Sequence, residues 1–140
     1  MALFELIYVS RACSPMSTAQ LTELLAQSRR DNERVGITGM LVYHRMEFMQ
    51  LIEGERAEVE ALFARIVNDR RHEQVLKLWD GPVGQRSFED WRMAFVAPQD
   101  AELGAHSGYA PLMDKGLRLS AQDTPGKHLL LRLRDDFIAA

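Results

Sequence analysis

Two amides, a phenol, a hydroxyl, a guanidinium and a carboxylate could do chemistry together in this sequence: Gln50, Asn32, Tyr8, Ser28, Arg65 and Asp69. A side-chain amide carries two donors and two acceptor lone pairs, and burying it unpaired costs about 1–3 kcal/mol. Strand alternation in Phe48-Met-Gln-Leu-Ile52 sets Phe48, Gln50 and Ile52 on one face. Gln50 therefore sits between two large apolar neighbours, and something must meet it. A backbone group or a buried water would do; so would a ligand with a donor–acceptor edge. Tyr8 ends an apolar run with a phenol that wants a partner. The others also have plain structural readings. Asn32 suits a helix C-cap before Gly36. Arg65 and Asp69 suit a surface i, i+4 pair worth about 0.2–0.5 kcal/mol.

The elements between these residues decide whether they meet. Residues 3–10 read as a strand, with Phe4, Leu6 and Tyr8 on one face and Leu3, Glu5, Ile7 and Val9 on the other. Ser17-Thr-Ala-Gln20 is a capping box, with Met16 and Leu21 placed as a hydrophobic staple. The helical stripe that follows is Leu21, Leu24, Leu25, Ser28, Asn32, an inward face that begins apolar and ends polar. A hairpin spans Gly36 to Gly54, its turn at His44-Arg45. A second helix over 56–70 carries Val59, Leu62, Phe63 and Ile66, and the cations of Asp69-Arg-Arg-His72 suit its C-terminal end. Val75 to Asp80 reads as a strand, Gly81-Pro-Val-Gly84 as a turn or bulge, and 91–97 as a last strand. There Trp91 and Met93 are most simply core or edge-covering residues.

The order is β-α-β-β-α-β-β, an α+β, ferredoxin-like split βαβ with an added strand and two helices on one face. In that layout the first and third strands are central neighbours with both helices above them. The six polar residues then converge on one slot, which suits a flat heterocycle with alternating donors and acceptors. Residues 1–98 form the domain and residues 99–140 a C-terminal helical extension. Thr124-Pro125 reads as an N-cap followed by an N1 proline. Leu129, Leu130, Leu133 and Phe137 then form a stripe that covers the open sheet face or serves a partner.

A chain of 140 residues can bury a core without disulfides or metal. Its net charge of −3 argues against a nucleic-acid footprint. Cys13 stands alone, which excludes an internal disulfide framework and fits a reducing compartment. No apolar run reaches the roughly 18 residues of a membrane span, and the N-terminus has no basic-then-apolar leader. A cytoplasmic protein is expected. His44, His72, His106 and His128 show no zinc spacing. Dinucleotide, P-loop and nucleophile-elbow motifs are absent. Glu53 and Glu55 flank a turn and look solvated. No enzyme is expected. An acylphosphatase-like hydrolase would need a glycine-rich cradle that Arg11-Ala-Cys-Ser14 lacks. The residues alone leave open a ferredoxin-like small-molecule sensor without photochemistry, since fold does not carry function.

Several spaced motifs carry a family resemblance. They are Leu6-Ile-Tyr8, Asn32 before Gly36-Ile-Thr-Gly39, and Phe48-Met-Gln-Leu-Ile-Glu-Gly54. Further on come Arg65-Ile-Val-Asn-Asp-Arg-Arg-His72, Arg86-Ser-Phe88 and Trp91-Arg-Met93. Over residues 3 to about 97 the chain resembles BLUF domains, the blue-light sensors that use flavin, and its short tail resembles that of stand-alone members. Asp31 departs from the family pattern, in which Asn or His is common. The resemblance implies an isoalloxazine between the helices, its polar edge bonded by Asn32 and Gln50, with Gln50 held by Tyr8. It places Ser28 and Asp31 at the same site, and Arg65, Asp69, Arg71 and His72 towards the ring or the ribityl-phosphate side. It implies electron and proton donation from Tyr8 in blue light, and a signal in which Trp91 and Met93 exchange proximity to Gln50. The implied cofactor is FAD, although FMN and riboflavin share its ring contacts. The implied partner is a downstream protein not identified by the sequence. The C-terminal stripe permits a homodimer.

Overall fold

The structure, a computed structural model, describes residues 3–87, 94–96, 124 and 125. The elements are β1 (Leu3–Ala12), α1 (Thr18–Val35), β2 (Thr38–His44), β3 (Glu47–Glu55), α2 (Arg56–Val67), β4 (His72–Val83) and β5 (Ala94–Val96). The sheet order is β4-β1-β3-β2-β5. The first three neighbour pairs are antiparallel and β5 runs parallel to β2. This is the expected ferredoxin-like order with the added strand at the β2 edge. Trp91, Met93 and the extension over 99–140, apart from Thr124 and Pro125, lie outside the described residues.

Helix α1 starts on the capping box, Ser17 Oγ accepting from the Gln20 N–H and Gln20 Oε1 accepting from the Ser17 N–H. It ends on Gly36, whose φ of 71° is left-handed. The Gly36 and Ile37 N–H groups both donate to the Asn32 carbonyl. Asn32 thus helps close the helix through its backbone, and its side chain is buried on the inward face.

Several boundaries differ from the sequence reading. The β2–β3 turn is Arg45-Met46, one residue late, with φ of 50° and 69°. Two left-handed residues match the twist of a two-residue hairpin. Helix α2 stops at Val67, not 70, because Asn68 caps it and its amide donates back to the Ala64 carbonyl at 3.0 Å. Asp69 to Arg71 therefore form the link into β4 rather than a last helical turn. β4 begins at His72, three residues early, and runs through Gly81-Pro82-Val83. Proline is tolerated there because β4 is an edge strand. The irregularities lie elsewhere, at register shifts opposite Ile7/Tyr8 and Val9/Arg11, near Gln74 with φ of 55°. An extra residue at each shift re-aims the strand.

Gly39 marks the closest backbone approach in the hairpin. A Cβ built there would lie 2.0 Å from the Leu51 carbonyl oxygen. That oxygen belongs to the ladder and cannot swing away. Gly39→Ala is expected to lower stability by about 3 kcal/mol, as overpacking against backbone does, read as a fall in the denaturation midpoint in urea.

Side-chain alternation divides the strands into two buried faces. On the helix side, Phe4, Leu6, Tyr8, Leu41, Phe48 and Ile52 pack with Leu21, Leu25 and Val59. On the far side, Ile7, Met40, Val42, Met49 and Leu51 are also buried, with Glu5, Thr38 and Glu53 among them. Glu53 is 1% exposed, so the expectation that it is solvated is overturned, whereas Glu55 is exposed. Glu53 falls within β3, which continues past Gly54, and its position in the strand turns it into the packed far face.

Candidate functional site

The register of the two central strands sets Tyr8 directly opposite Gln50. Both face the helices, at 4% and 6% exposure. The Tyr8 hydroxyl donates a hydrogen bond to Gln50 Oε1. Burial raises the Tyr8 pKa far above its ordinary value, and the nearby charge of Asp69 raises it further. Tyr8 therefore stays protonated and acts as the donor, which points the carbonyl end of Gln50 at the phenol.

Above this pair, α1 and α2 leave a cleft of about 230 Å³. A water needs roughly 10–15 Å³ on such a measure, so the cleft has room for a small organic molecule. Its depth is graded in polarity. Tyr8, Gln50 and the Asn32 side chain lie buried at the bottom with Leu41 and Phe48. Leu24, Leu62 and Ile66 form apolar walls. Arg65 and Arg71 stand exposed at the rim. Uncharged donors and acceptors inside, apolar walls between, and a mouth that mixes Arg65 and Arg71 with Asp31 and Asp69 make a slot for a planar heterocycle with a polar tail.

The link from α2 to β4 shapes the rim. Asp69 accepts from the Arg71 backbone N–H at 2.9 Å and from Arg71 Nε at 3.0 Å, and pairs with Nη2 at 2.5 Å. The Arg71 guanidinium holds the Asp69 carboxyl below the usual carboxylate range, and Asp69 in turn raises Arg71. The expected Arg65–Asp69 pair is replaced by this one, because Asp69 lies beyond the end of α2. Among the described residues Arg65 forms no ion pair. His72 is held at both ring nitrogens: Nε2 lies 2.5 Å from the Ile66 carbonyl and Nδ1 lies 2.7 Å from Ser10 Oγ. A carbonyl can only accept, so Nε2 carries a hydrogen. The ring stands edge-on to Tyr8 and Phe48, each at 6.3 Å between centroids.

Tyr8, Ser28, Asp31, Asn32, Gln50, Arg65, Asp69, Arg71 and His72 all line this one cleft. Trp91 and Met93 lie outside the described residues. The sequence reading missed Gln27, which lies one turn before Asp31 on the same edge of α1. That i, i+4 relation was the available signal. Leu24, Phe48, Leu62 and Ile66 were taken simply as core. Periodicity identifies the inward face of an element and does not separate wall from core.

The family model described as "BLUF: Sensors of blue-light using FAD" matches residues 3–94. A photoactivated adenylate cyclase subunit beta from Euglena longa is 34% identical over 93 residues, covering 65% of this chain. The chain spans 11% of that relative's length. Among solved structures, the dark state of BlrB, a BLUF protein, matches with a TM-score of 0.67 at 35% identity, covering 81% of this chain and 84% of that one. The photo-activated state of BlsA matches with a TM-score of 0.69 at 26% identity, covering 94% and 93%. A ferredoxin-like sheet with a tyrosine–glutamine pair under a graded cleft, matched over residues 3–94, places this chain in the BLUF family of blue-light sensors that use flavin.

Proposed function

We propose that the cleft binds a phosphorylated flavin, FAD or FMN, and that Tyr8 and Gln50 convert blue light into a rearranged hydrogen-bond network. The observation that carries this reading is the bond from the Tyr8 hydroxyl to Gln50 Oε1 at the bottom of the cleft. When bound, flavin supplies the absorption of blue light and an acceptor for an electron. Tyr8 would give up an electron to that acceptor and its phenolic proton along the existing bond to Gln50, and both would return to Tyr8, so that nothing is oxidised in net. Gln50 would be left with its amide turned or in its other tautomer. The oxygen and NH₂ ends of an amide are alike in shape and opposite in polarity, so the buried network has two arrangements of similar energy. Asn32, buried beside the same space, keeps the polar edge of the ring in place while Gln50 changes. The walls exclude water, which would otherwise compete for each bond.

Arg65 and Arg71 at the rim favour a phosphate-bearing tail over riboflavin. Arg71 is committed to Asp69, so Arg65 is the better phosphate partner. Arg65→Ala is expected to weaken FMN binding about tenfold, the worth of one charge-assisted contact, with riboflavin affinity unchanged. Titration of flavin-free protein with each ligand, followed by flavin fluorescence, reads the difference.

The same reading makes the protein a sensor without catalysis of its own, passing its signal to a downstream protein in the cytoplasm. No described helix is long and apolar enough to cross a membrane. The deciding experiment is an absorption spectrum of the purified protein, in the dark and after blue light. A flavin spectrum with a small, reversible red shift is expected. A flavin that bleaches without the shift would point to redox chemistry instead. A colourless protein that refuses added flavin would end the flavin reading.

A further inference from the structure

The mouth of the cleft is divided between its two helices, and two of its charges go unanswered. Asp69 and Arg71, on the link into β4, satisfy each other. Arg65 on α2 and Asp31 on α1 line the same cleft and differ from that pair. Among the described residues neither side chain forms a hydrogen bond or an ion pair. Opposite charges on facing walls that do not close on each other can each meet a different part of one ligand.

Asp31 does not stand alone on its helix. Gln27 lies one turn before it and Ser28 three residues before it, so the three share one edge of α1. The side chains of Gln27 and Ser28 likewise bond to no other described residue. A carboxylate only accepts, an amide oxygen accepts, and a hydroxyl can do both. Such an edge suits hydroxyl donors. It opposes a phosphate monoester, which carries about −1.5 to −2 charge at neutral pH. Depth adds to the argument. Asn32 and Gln50 are buried at the floor, Ser28 and Asp31 are half-buried, and Gln27 and Arg65 are exposed. A phosphorylated flavin has its groups in the same order: the polar edge of the ring, then a hydroxyl-bearing chain, then the phosphate.

We propose that Asp31, flanked by Ser28 and Gln27, binds the hydroxyls of the flavin's tail, and that its charge turns the phosphate away from α1 and towards Arg65. This deepens the flavin-sensor reading and rests on it. A hydroxyl bonded to a carboxylate makes a contact about twice as strong as one between neutral groups. Asp31 is therefore a specificity residue: it selects flavins that carry the hydroxyl chain and decides which helix the phosphate meets. An amide at this position would bond a hydroxyl without repelling phosphate.

The test is a competition on the full chain. The protein is equilibrated with an equal mixture of riboflavin and lumiflavin, which has a methyl group in place of the hydroxyl-bearing chain. The flavin that stays bound is released and quantified by chromatography. A second mixture holds riboflavin and FMN. In the wild type, bound riboflavin should exceed bound lumiflavin about tenfold, the worth of one charge-assisted contact. Asp31→Ala should bring that ratio close to one. Asp31→Asn keeps an acceptor oxygen and removes the charge. It should retain most of the preference for riboflavin over lumiflavin, and raise bound FMN relative to riboflavin about threefold over the wild type, the worth of a partly screened charge pair. An Asp31→Ala protein that keeps the wild-type ratio would overturn the hydroxyl contact. An Asp31→Asn protein with an unchanged share of FMN would overturn the steering of phosphate. A wild type that holds riboflavin and lumiflavin alike overturns this inference and leaves the flavin reading standing. A wild type that holds no flavin from either mixture overturns both.

Discussion

Gln50→Leu keeps its flavin and loses the light-induced red shift entirely. Leucine is close in volume to glutamine, and it would sit between Phe48 and Ile52 on a face that is already apolar. The fold therefore tolerates the change. The Tyr8 hydroxyl loses its acceptor, a cost of about 1–3 kcal/mol for a buried donor. Asn32 and Arg65 still line the cleft, so flavin affinity should fall by no more than about tenfold, one contact's worth. What disappears is the amide that meets Tyr8 at the floor, a side chain with two ends of opposite polarity. With no amide to turn, the lit network is the dark network. A light-minus-dark difference spectrum reads the outcome, and a normal photocycle in this variant would sink the mechanism.

Tyr8→Phe is the complementary case. The ring remains, still packed 5.6 Å from Phe63 and edge-on to His72. Only the hydroxyl is removed, and with it the proton and the readily given electron. Flavin should bind, since Gln50 and Asn32 keep their amides. The red shift should vanish, and flavin fluorescence should rise because its excited state has lost its donor. The two variants fail differently: Gln50→Leu retains the donor and lacks the switch, while Tyr8→Phe retains the switch and lacks the donor. A Tyr8→Phe protein that cycles like the wild type would move the donor role elsewhere.

Where alternation was unbroken, the sequence was legible. Phe4, Leu6 and Tyr8, and Phe48, Gln50 and Ile52, face the helices as their spacing requires, and the Tyr8–Gln50 meeting follows from two central strands in register. The capping box placed the start of α1. Reading failed where one residue breaks a period. Gln74 adopts a positive φ beside a register shift, and the sequence reading started β4 only after it, at Val75. Asn68 ends α2 early, and the Arg65–Asp69 spacing then described a helix that had already stopped. Glu53 was misplaced for a different reason. A carboxylate looks solvated in a sequence because the donors that bury it, Thr38 and the Ser87 N–H, lie on other segments. Tyr8, Asn32, Gln50, Arg65, Asp69, Arg71 and His72 were recoverable because the quoted motifs contain them, and Ser28 because it continues the inward stripe of α1; Gln27 was not.

The strand order also dictates when the light sensor can come into being during synthesis. β2 and β3 are joined by two residues and can pair as soon as they leave the ribosome. β1 is made first yet pairs with β3 on one side and β4 on the other, so its second edge stays open until β4, which ends at Val83, has been added. Such distant pairings close slowly, because chain entropy is lost before contacts repay it. The cleft draws on Tyr8 at one end of this span and His72 at the other. A nascent chain that stops short of β4 can hold the hairpin but cannot hold the chromophore. Chromophore capture is therefore a late event, and coloured protein in a cell extract counts the chains that have added β4 to β1.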